Sequence, residues 1–170
     1  NIIVTGHTGF KGSWACIWLH YLGAKIIGIS DEIKTSPSNF DLSKINVFVK
    51  DYRLNMNDLN GLKTIISENE PDFIFHFAAQ SIVSKSFKNP IETFQTNTLG
   101  TINLLEAIRL HKKNVISIFV TSDKVYENFE WTWGYRETDL LGGKDPYSSS
   151  KAMAELAIKS YFEIFLKNSS

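Results

Sequence analysis

The most constraining feature of the chain is a glycine-rich turn between a short apolar segment and an apolar helix. Residues 1–5 read NIIVT, a β-branched run typical of a buried parallel strand. Residues 6–12 read GHTGFKG, with the spacing GxxGxxG, and residues 13–22 predict an apolar-faced helix. A second apolar segment at residues 25–29 completes a βαβ unit. Such a unit requires a parallel sheet with a right-handed crossover.

The glycines of this turn have a chemical use as well as a structural one. Without side chains, the backbone can turn tightly and approach a pyrophosphate, to which the helix N-terminus donates N–H groups. The alternative is a tight turn that binds nothing. In its βαβ context the motif favours nucleotide binding, with His7 and Lys11 lining the site rather than reacting.

The residues after the second strand bear on the choice of dinucleotide. Dinucleotide folds commonly place an acid about 20 residues after the glycines, where it holds the adenosine ribose 2′-hydroxyl. Here that position carries Ser30, and Asp31 follows it. If Asp31 reaches the ribose, NAD is preferred; if Ser30 faces it, a 2′-phosphate is not repelled. We predict NAD.

Strands and helices are predicted to alternate along the whole chain. The third to fifth strands are expected at residues 47–49, 73–77 and 115–120, helices near 58–67, 89–111 and 146–167, and a surface loop over 30–44. This order predicts one compact α/β unit with a doubly wound parallel sheet of the Rossmann type. Its expected strand order is 3-2-1-4-5.

Composition excludes several other classes of protein. Lys plus Arg and Asp plus Glu each number 18, so the net charge of zero argues against nucleic-acid or anionic membrane surfaces. A single cysteine, Cys16, excludes a disulfide framework and favours a reducing compartment. No apolar run is long enough for a membrane span, no signal peptide is recognised, and the four scattered histidines predict no metal site. We therefore expect a cytoplasmic protein with small-molecule ligands.

A tyrosine and a lysine lie four residues apart at the predicted start of the last helix. Asp145 and Pro146 are suited to the N-cap and first helical positions, so Tyr147 and Lys151 should lie one turn apart on one face. Lowering a phenol pKa from about 10 to neutrality requires roughly 4 kcal/mol, and a cation about 4 Å away supplies about that much. The pair predicts a tyrosine base, although an ordinary solvated helix start gives the same pattern.

Polar residues also follow the fourth and fifth predicted strands, where ligands bind in such sheets. Residues 78–81 read AAQS, and residues 121–124 read TSDK. Ser122, Asp123 and Lys124 are either a solvated strand end or, beside Tyr147 and Lys151, groups for moving protons and hydride on an alcohol. The loop 126–143 carries Trp131, Trp133 and Tyr135, which either cover a sugar or pack within the loop.

These motifs together resemble the extended short-chain dehydrogenase/reductase superfamily. The resemblance rests on TGxxGFxG at residues 5–12, AAQ at 78–80, Asn97 with Gly100-Thr101, and YxxxK at 147–151. Within that superfamily, residues 4–14, 35–38 and above all 121–156 resemble the CDP-glucose 4,6-dehydratase family. The Ser-Asp-Lys triplet is the specific part, because dehydratases of dTDP-glucose usually carry Thr-Asp-Glu there and sugar 4-epimerases lack the acid pair.

The resemblance implies an NAD-dependent lyase that converts CDP-glucose to CDP-4-keto-6-deoxyglucose in deoxysugar and O-antigen biosynthesis. Tyr147 would take the proton of the 4-hydroxyl, Lys151 would lower the tyrosine pKa, Ser122 would orient the hydroxyl, Asp123 would protonate the leaving 6-hydroxyl, and Lys124 would occupy the base position at C5. The implied NAD contacts are Gly6, His7, Thr8, Gly9, Phe10, Lys11, Gly12, Ser30, Asp31, Asp51, Tyr52, Phe77, Ala78, Ala79, Gln80, Thr121, Tyr147 and Lys151. The implied substrate contacts are Gln80, Ser84, Ser86 and Ser122.

The resemblance also sets expectations for the assembly. It implies a homodimer that pairs the helices at 90–111 and 146–167 into a four-helix bundle. Members of the family are about twice as long, so a C-terminal substrate domain is expected to be absent from residues 1–170, and this part alone is expected to be inactive. Ser84 stands where the family usually has Arg, and Val125 where it has Cys. Another nucleotide-sugar dehydratase, a 4-epimerase, and a non-catalytic NAD-binding fragment or sensor stay open as alternatives.

Overall fold

The computed structural model describes residues 1–111 and 113–167, which form a parallel sheet of five strands flanked by helices. The strands are β1 (Ile2–Thr5), β2 (Ile26–Ser30), β3 (Val49–Arg53), β4 (Phe73–His76) and β5 (Ile116–Phe119). Their spatial order is β3-β2-β1-β4-β5, and each neighbouring pair is parallel. The predicted fold class and strand order are confirmed.

The helices connect the strands and continue beyond β5. They are α1 (Phe10–Tyr21), α2 (Asn39–Leu42), α3 (Leu59–Asn69), α4 (Val83–Lys88), α5 (Pro90–Phe94), α6 (Gly100–Leu110) and α7 (Pro146–Tyr161). A π turn at Gln95–Leu99 joins α5 to α6, and another at Phe162–Leu166 extends α7. Helix α7 begins as predicted, with Pro146 in its first turn and the Asp145 carboxylate accepting a hydrogen bond from Ser148 N at 3.0 Å.

Two apolar clusters cover the two faces of the sheet. Alternate residues of β1 point to opposite faces, so that Ile3 joins one cluster and Val4 the other. The first cluster includes Ile27, Ile29, Leu62, Ile66, Ile74, Leu104 and Ile108, and the second includes Cys16, Ile26, Phe40, Ile45 and Val49. Burying each of these large side chains stabilises the fold by about 1.5–3 kcal/mol. Burial also raises the pKa of Cys16 to about 12, which makes this thiol a packing residue rather than a nucleophile.

The structure corrects two of the sequence predictions on the β2 and β3 side. The third strand was expected at residues 47–49, but Ile45–Val47 forms a 3₁₀ turn and the strand begins at Val49. Because β3 is an edge strand, polar residues can occupy its exposed positions. A search for apolar runs therefore did not detect its full length. The expected surface loop at 30–44 contains α2, which buries Phe40.

The register brings the carboxyl ends of all five strands to one edge of the sheet. Thr5 lies opposite Ile29 of β2 and His76 of β4, and His76 lies opposite Phe119 of β5. The glycine turn, residues 77–80 and residues 120–125 therefore leave the sheet side by side. This is the edge where doubly wound sheets bind their ligands.

Candidate functional site

The glycine turn packs directly on the backbone that follows β4. Gly6 has a φ of +70°, and a Cβ added there would lie 2.7 Å from Ala78 N. A Cβ on Gly12 would overlap the Gly6 carbonyl, so the first turn of α1 lies against the loop itself. Gly9 caps α1 without a side chain, and no acidic residue stands in the first turn. The N–H groups at the start of α1, which have no partner within the helix, fit a phosphate group.

Beside this cradle, the end of β2 forms a small polar network with Thr8. The Thr8 hydroxyl donates to the Glu32 carbonyl at 2.8 Å and lies 2.7 Å from Ser30 Oγ. Since the Thr8 proton is already used, Ser30 donates to Thr8, and its buried hydroxyl is engaged. The Asp31 carboxylate accepts from Glu32 N at 2.8 Å and lies 3.5 Å from Lys34 Nζ. Of the two residues named for the ribose, Asp31 therefore carries the exposed acceptor.

A second polar group lies at the β3 edge. His7 is fully buried, and its Nε2 lies 3.0 Å from Asp51 Oδ1. The Arg53 guanidinium donates to Asp51 Oδ2 from Nη2 at 2.6 Å and from Nε at 3.1 Å. Tyr52 points to the opposite side of β3, where its hydroxyl accepts from Asn69 Nδ2 at 3.3 Å. Asp51 thus lies on the glycine-turn side and Tyr52 does not.

Helix α7 carries the predicted tyrosine and lysine toward the end of β5. Tyr147 is 9% exposed and Lys151 is 5% exposed. Lys151 Nζ donates to the Val120 carbonyl at 3.2 Å. Burial, and then the charge of Lys11, lower the pKa of Lys151 to about 8, although Glu155 opposes the shift. A desolvated ammonium therefore stands one helical turn from the Tyr147 position.

The residues after β5 form a 3₁₀ turn over Asp123–Val125, capped by Ser122. Ser122 Oγ accepts from Lys124 N at 3.2 Å and donates to Asp123 Oδ1 at 3.1 Å. Asp123 and Lys124 are exposed, and the preceding Thr121 donates to the Glu155 carboxylate of α7. The turn is therefore tied to the helix that bears Tyr147 and Lys151.

Electrostatics links the turn to the start of α7 as well. Burial raises the pKa of Asp145, but hydrogen bonds from Ser148 and the charge of Lys124 outweigh it and hold the pKa below its ordinary value. The Lys124 ammonium therefore lies within electrostatic reach of the α7 N-cap. The structure thus brings Ser122, Asp123 and Lys124 beside the helix that carries Tyr147.

In the loop after β4, the Gln80 side chain is hydrogen-bonded within the protein. Gln80 Nε2 donates to Thr93 Oγ1 and to the Ile82 carbonyl, each at 3.1 Å. Ser86 is fully buried and donates to the Val83 carbonyl at 2.7 Å, whereas Ser84 lies exposed on α4. The Ser84 hydroxyl is therefore exposed to solvent, whereas the Gln80 amide and the Ser86 hydroxyl are already hydrogen-bonded within the protein. Their substrate contacts stay predictions.

Asn97, in the π turn between α5 and α6, joins the loop after β4 to α7. Its Oδ1 accepts from Gln80 N at 2.8 Å, and its Nδ2 donates to the Gln80 carbonyl at 3.0 Å and to Ser150 Oγ at 2.9 Å. Sequence reasoning noted Asn97 only as part of the resemblance. The available signal was the run of four polar residues, 95–98, inside the predicted helix.

His76 is a second buried residue that sequence reasoning did not assign. Its Nδ1 lies 2.7 Å from Thr5 Oγ1, and its Nε2 lies 3.1 Å from Thr101 Oγ1. The Thr101 hydroxyl donates to the Asn97 carbonyl at 2.7 Å, so the His76 proton belongs on Nε2. Burial, and then the charge of Lys151, lower the pKa of His76 to about 3. A neutral imidazole therefore links β1, β4 and α6 below the site.

In the loop after β5, the Trp131 ring stacks on the Trp133 ring at a centroid distance of 5.1 Å and meets the Tyr135 ring at a tilt, also at 5.1 Å. Among residues 1–111 and 113–167, no group of three or more His, Cys, Asp or Glu could hold a metal ion. None of the helices in these ranges has the length and apolarity required to cross a bilayer.

Known proteins resemble this chain over nearly its whole length. The family model described as GDP-mannose 4,6 dehydratase matches residues 3–166. CDP-glucose 4,6-dehydratase of Salmonella typhimurium strain LT2 is 42% identical over 165 residues, which cover 97% of this chain and 46% of that protein. The chain thus spans about half the length of this relative.

Two solved structures superpose on nearly the whole chain. UDP-glucose 4-epimerase of Thermotoga maritima, solved with UDP-glucose, superposes with a TM-score of 0.85 at 26% identity, covering 97% of this chain and 52% of that one. dTDP-glucose 4,6-dehydratase of Bacillus anthracis, solved in complex with NAD, superposes with a TM-score of 0.81 at 28% identity, covering 97% and 51%.

Proposed function

Because the chain belongs to the GDP-mannose 4,6 dehydratase family, we propose that it carries the cofactor site and catalytic residues of a nucleotide-sugar 4,6-dehydratase. We further propose CDP-glucose as the substrate, which the 42% identity to the Salmonella enzyme supports. The observation that carries the proposal is the position of the Ser122-Asp123-Lys124 turn beside α7, which bears Tyr147 and Lys151. An epimerase or a simple dehydrogenase needs the tyrosine and lysine but not the acid and amine of that turn.

The residues at the carboxyl edge of the sheet fit NAD, the cofactor in the solved Bacillus anthracis relative. The turn of Gly6, Gly9 and Gly12 would hold the pyrophosphate, Asp31 would accept from the adenosine ribose, and Lys151 would contact the nicotinamide ribose. When bound, NAD supplies a reversible hydride acceptor next to the sugar.

In the oxidation half of the reaction, the protein handles one proton. Tyr147 takes the proton of the sugar 4-hydroxyl, which Ser122 orients by a hydrogen bond. The Lys151 ammonium stabilises the phenolate form of Tyr147, and its desolvated position strengthens that attraction. Since the pKa of Lys151 is about 8, the side chain is still charged near neutral pH.

In the elimination half, the protein moves two protons. The new ketone at C4 acidifies the C5–H bond, and Lys124 in its neutral form removes that proton. Asp123 in its protonated form gives a proton to the departing 6-hydroxyl, which leaves as water. Lys124 then returns its proton to C5, and the hydrogen removed from C4 ends on C6. The proton that Tyr147 took from the 4-hydroxyl balances the one that Asp123 gave, so that the net change is the loss of one water from the sugar.

The test is to incubate the full-length protein and NAD with CDP-glucose, dTDP-glucose, UDP-glucose and GDP-mannose and to weigh the products by mass spectrometry. Loss of one water from CDP-glucose is the expected result. A product of unchanged mass but altered stereochemistry would identify an epimerase. Binding of NAD without turnover of any sugar would identify a cofactor-binding module or sensor.

We also propose that the remainder of the active site lies in a C-terminal substrate domain, since the relatives are about twice as long as this chain. Residues 1–170 alone should then bind NAD without dehydrating CDP-glucose. The full-length protein should be a cytoplasmic homodimer, in which exposed apolar side chains of α5, the following π turn and α7 pair across the interface. These side chains are Ile91, Leu99, Met153 and Leu156. Leu156→Glu should yield monomers in sedimentation velocity, whereas Trp18→Glu on α1 should not.

A further inference from the structure

We propose that Glu155 on α7 is a positioning residue for the reaction. Its carboxylate holds the start of the turn at residues 122–125 through the hydroxyl of Thr121. The same carboxylate lies one helical turn from Lys151 and stabilises its ammonium by opposite charge. The inference rests on the proposed function, because it requires that this turn and Lys151 act on the bound sugar. It gives a role to an acidic residue that the proposed mechanism does not use.

Glu155 continues a stripe of functional side chains along one face of α7. Tyr147, Lys151 and Glu155 follow one another at intervals of four residues, so a phenol, an ammonium and a carboxylate occupy successive helical turns. Lys151 Nζ donates to the Val120 carbonyl at 3.2 Å, and one turn later the Glu155 carboxylate accepts from the Thr121 hydroxyl. Two consecutive residues after β5 are therefore held by two consecutive turns of α7.

The hydrogen bond from Thr121 fixes the near end of the turn. Thr121 immediately precedes Ser122, whose hydroxyl caps the turn by accepting from a backbone N–H at 3.2 Å. At the far end, Val125 is buried in the protein. The side chains of residues 123 and 124 between them are exposed, so packing does not hold them. A hydrogen bond to an ionised acceptor at Thr121 therefore limits how far the hydroxyl, acid and amine of the turn can move.

The charge of Glu155 opposes the other influences on Lys151. Burial, and then the charge of Lys11 on α1, lower the pKa of Lys151, whereas Glu155 raises it. His76, at the end of β4, is neutral near pH 7 because burial lowers its own pKa to about 3. Further ionisable side chains lie on α7 and on and after the turn: Tyr147, Asp123, Lys124 and Tyr126. Without Glu155, Lys151 would lose its proton at a lower pH and could no longer stabilise a phenolate there.

The first arm of the test removes the charge and keeps the hydrogen bond. Glu155→Gln retains an oxygen that can accept from Thr121 but carries no charge. Reduction of NAD on mixing with CDP-glucose is measured in the full-length protein across the pH range. We expect the alkaline limb of the Glu155→Gln profile to move to lower pH by about one unit, because Lys151 loses its proton sooner. The rate at pH values below this limb should change little.

The second arm removes the hydrogen bond and keeps the charge. Thr121→Val should lower both NAD reduction and deuterium exchange at C5 roughly 10- to 100-fold at every pH, because reacting groups on the turn are displaced. The position of the alkaline limb should not change. Thr121→Ser keeps the hydroxyl and should restore the rate. As a matched control, Glu163→Gln removes an acid that pairs with Lys167 beyond the end of α7 and should alter neither quantity.

A further measurement does not depend on turnover. Carbon NMR of isotopically labelled lysine in the cofactor-free protein follows the titration of Lys151, whose signal is assigned by its loss in Lys151→Met. The midpoint should be lower in Glu155→Gln than in the wild type and unchanged in Thr121→Val. A merely structural acid would not shift this midpoint.

The outcomes separate the inference from the proposed function. A wild-type limb and midpoint in Glu155→Gln, an undiminished rate in Thr121→Val, or a lack of rescue by Thr121→Ser would overturn the inference and leave the proposed function intact. Failure of the wild-type full-length protein to dehydrate any of the nucleotide sugars would instead overturn the proposed function, and this inference with it.

Discussion

The ammonium of Lys151 lies 3.2 Å from the carbonyl oxygen of Val120, and the lysine side chain is almost entirely shielded from solvent. Within the described residues, this carbonyl is the hydrogen-bond acceptor for Nζ. A lysine ammonium that is buried away from water and has one neutral hydrogen-bond acceptor loses its proton more easily, so its pKa is lowered. The structure thus places an ammonium beside the Tyr147 position and at the same time brings its titration close to neutral pH.

The first prediction follows from this titration. The pKa of Lys151 is about 8 in the folded chain against 10.5 ordinarily, so between these values the unfolded state binds more protons. The free energy of unfolding should therefore rise with pH, by up to about 3 kcal/mol from this residue. Urea unfolding of the wild-type chain and Lys151→Met from pH 7 to 10.5 measures the difference. If the difference in unfolding free energy between the two proteins does not vary with pH, the lowered pKa of the buried lysine is contradicted.

The second prediction concerns His76, which gives a pH dependence of the same sign in the acid range. Its pKa falls from 6.5 to about 3 on folding, so below pH 6.5 the unfolded state binds the extra proton. Stability should fall as the pH decreases from 6.5 to 3, by up to about 1.4 kcal/mol per pH unit. His76→Gln should remove this part of the acid sensitivity, whereas His20→Gln, at an exposed position, should not. Thermal unfolding at several pH values measures both. Identical acid profiles for wild type and His76→Gln would count against the neutral buried imidazole.

The third prediction tests the proposed base for oxidation. In the full-length protein, Tyr147→Phe should lower product formation by about 10²- to 10⁴-fold, because the phenol supplies positioned proton transfer. NAD affinity should stay nearly unchanged, since the glycine turn and Lys151 provide most of the contact. Single-turnover kinetics and calorimetry measure the two quantities, with Tyr135→Phe in the aromatic loop as a control. A parallel fall of affinity and rate would make Tyr147 a structural residue.

The fourth prediction separates oxidation from elimination. If Lys124 is the base at C5, Lys124→Ala should still reduce bound NAD on mixing with CDP-glucose but should stall there, roughly 10²- to 10⁴-fold below wild type. Two measurements apply: the near-ultraviolet absorbance of reduced nicotinamide, and exchange of solvent deuterium into C5. Accumulated reduced cofactor without exchange supports the assignment. Normal exchange in the variant would move the role of base to another residue.

The fifth prediction concerns the preference for NAD over NADP. Asp31 presents the exposed carboxylate at the end of β2, whereas the Ser30 hydroxyl is engaged with Thr8. A carboxylate accepts from a ribose hydroxyl and repels a 2′-phosphate. Asp31→Ala should therefore narrow the preference, measured by titrating both dinucleotides against both proteins. Glu32→Ala serves as the matched acidic control. An unchanged ratio in Asp31→Ala would place the ribose contact elsewhere.

The sequence was sufficient for the parts of the fold with strong local signals. The glycine spacing after β1 and the Asp145-Pro146 start of α7 are local features, and the alternation of strands and helices fixed the predicted strand order, which is confirmed. The resemblance to CDP-glucose 4,6-dehydratases is confirmed by the comparisons as well. Helix α2 was missed although its capping signal, Ser38 followed by Asp41, was present in the sequence.

The internal hydrogen bonds of the site could not be predicted in this way. His7 reaches Asp51 across 44 positions of sequence, and His76 joins Thr5 across 71. Such pairs depend on register and on which side chain a neighbouring strand leaves out, as Gly28 does for His7. A single sequence shows the residue types but not the partner. The roles predicted for the site residues therefore stay predictions, and the experiments above test them.

The π turn at Gln95–Leu99 has a consequence for how this sequence can change over evolutionary time. A π turn holds one residue more than an α-helical turn, and here it directs Asn97 toward Gln80 and Ser150. Deleting one residue would restore a regular helix but would rotate α6 by about 100° relative to α5. Leu104 and Ile108 would then leave the core. Substitutions can accumulate along this helix one at a time, whereas its length is constrained, because removal of a residue from the π turn would unpack the helix.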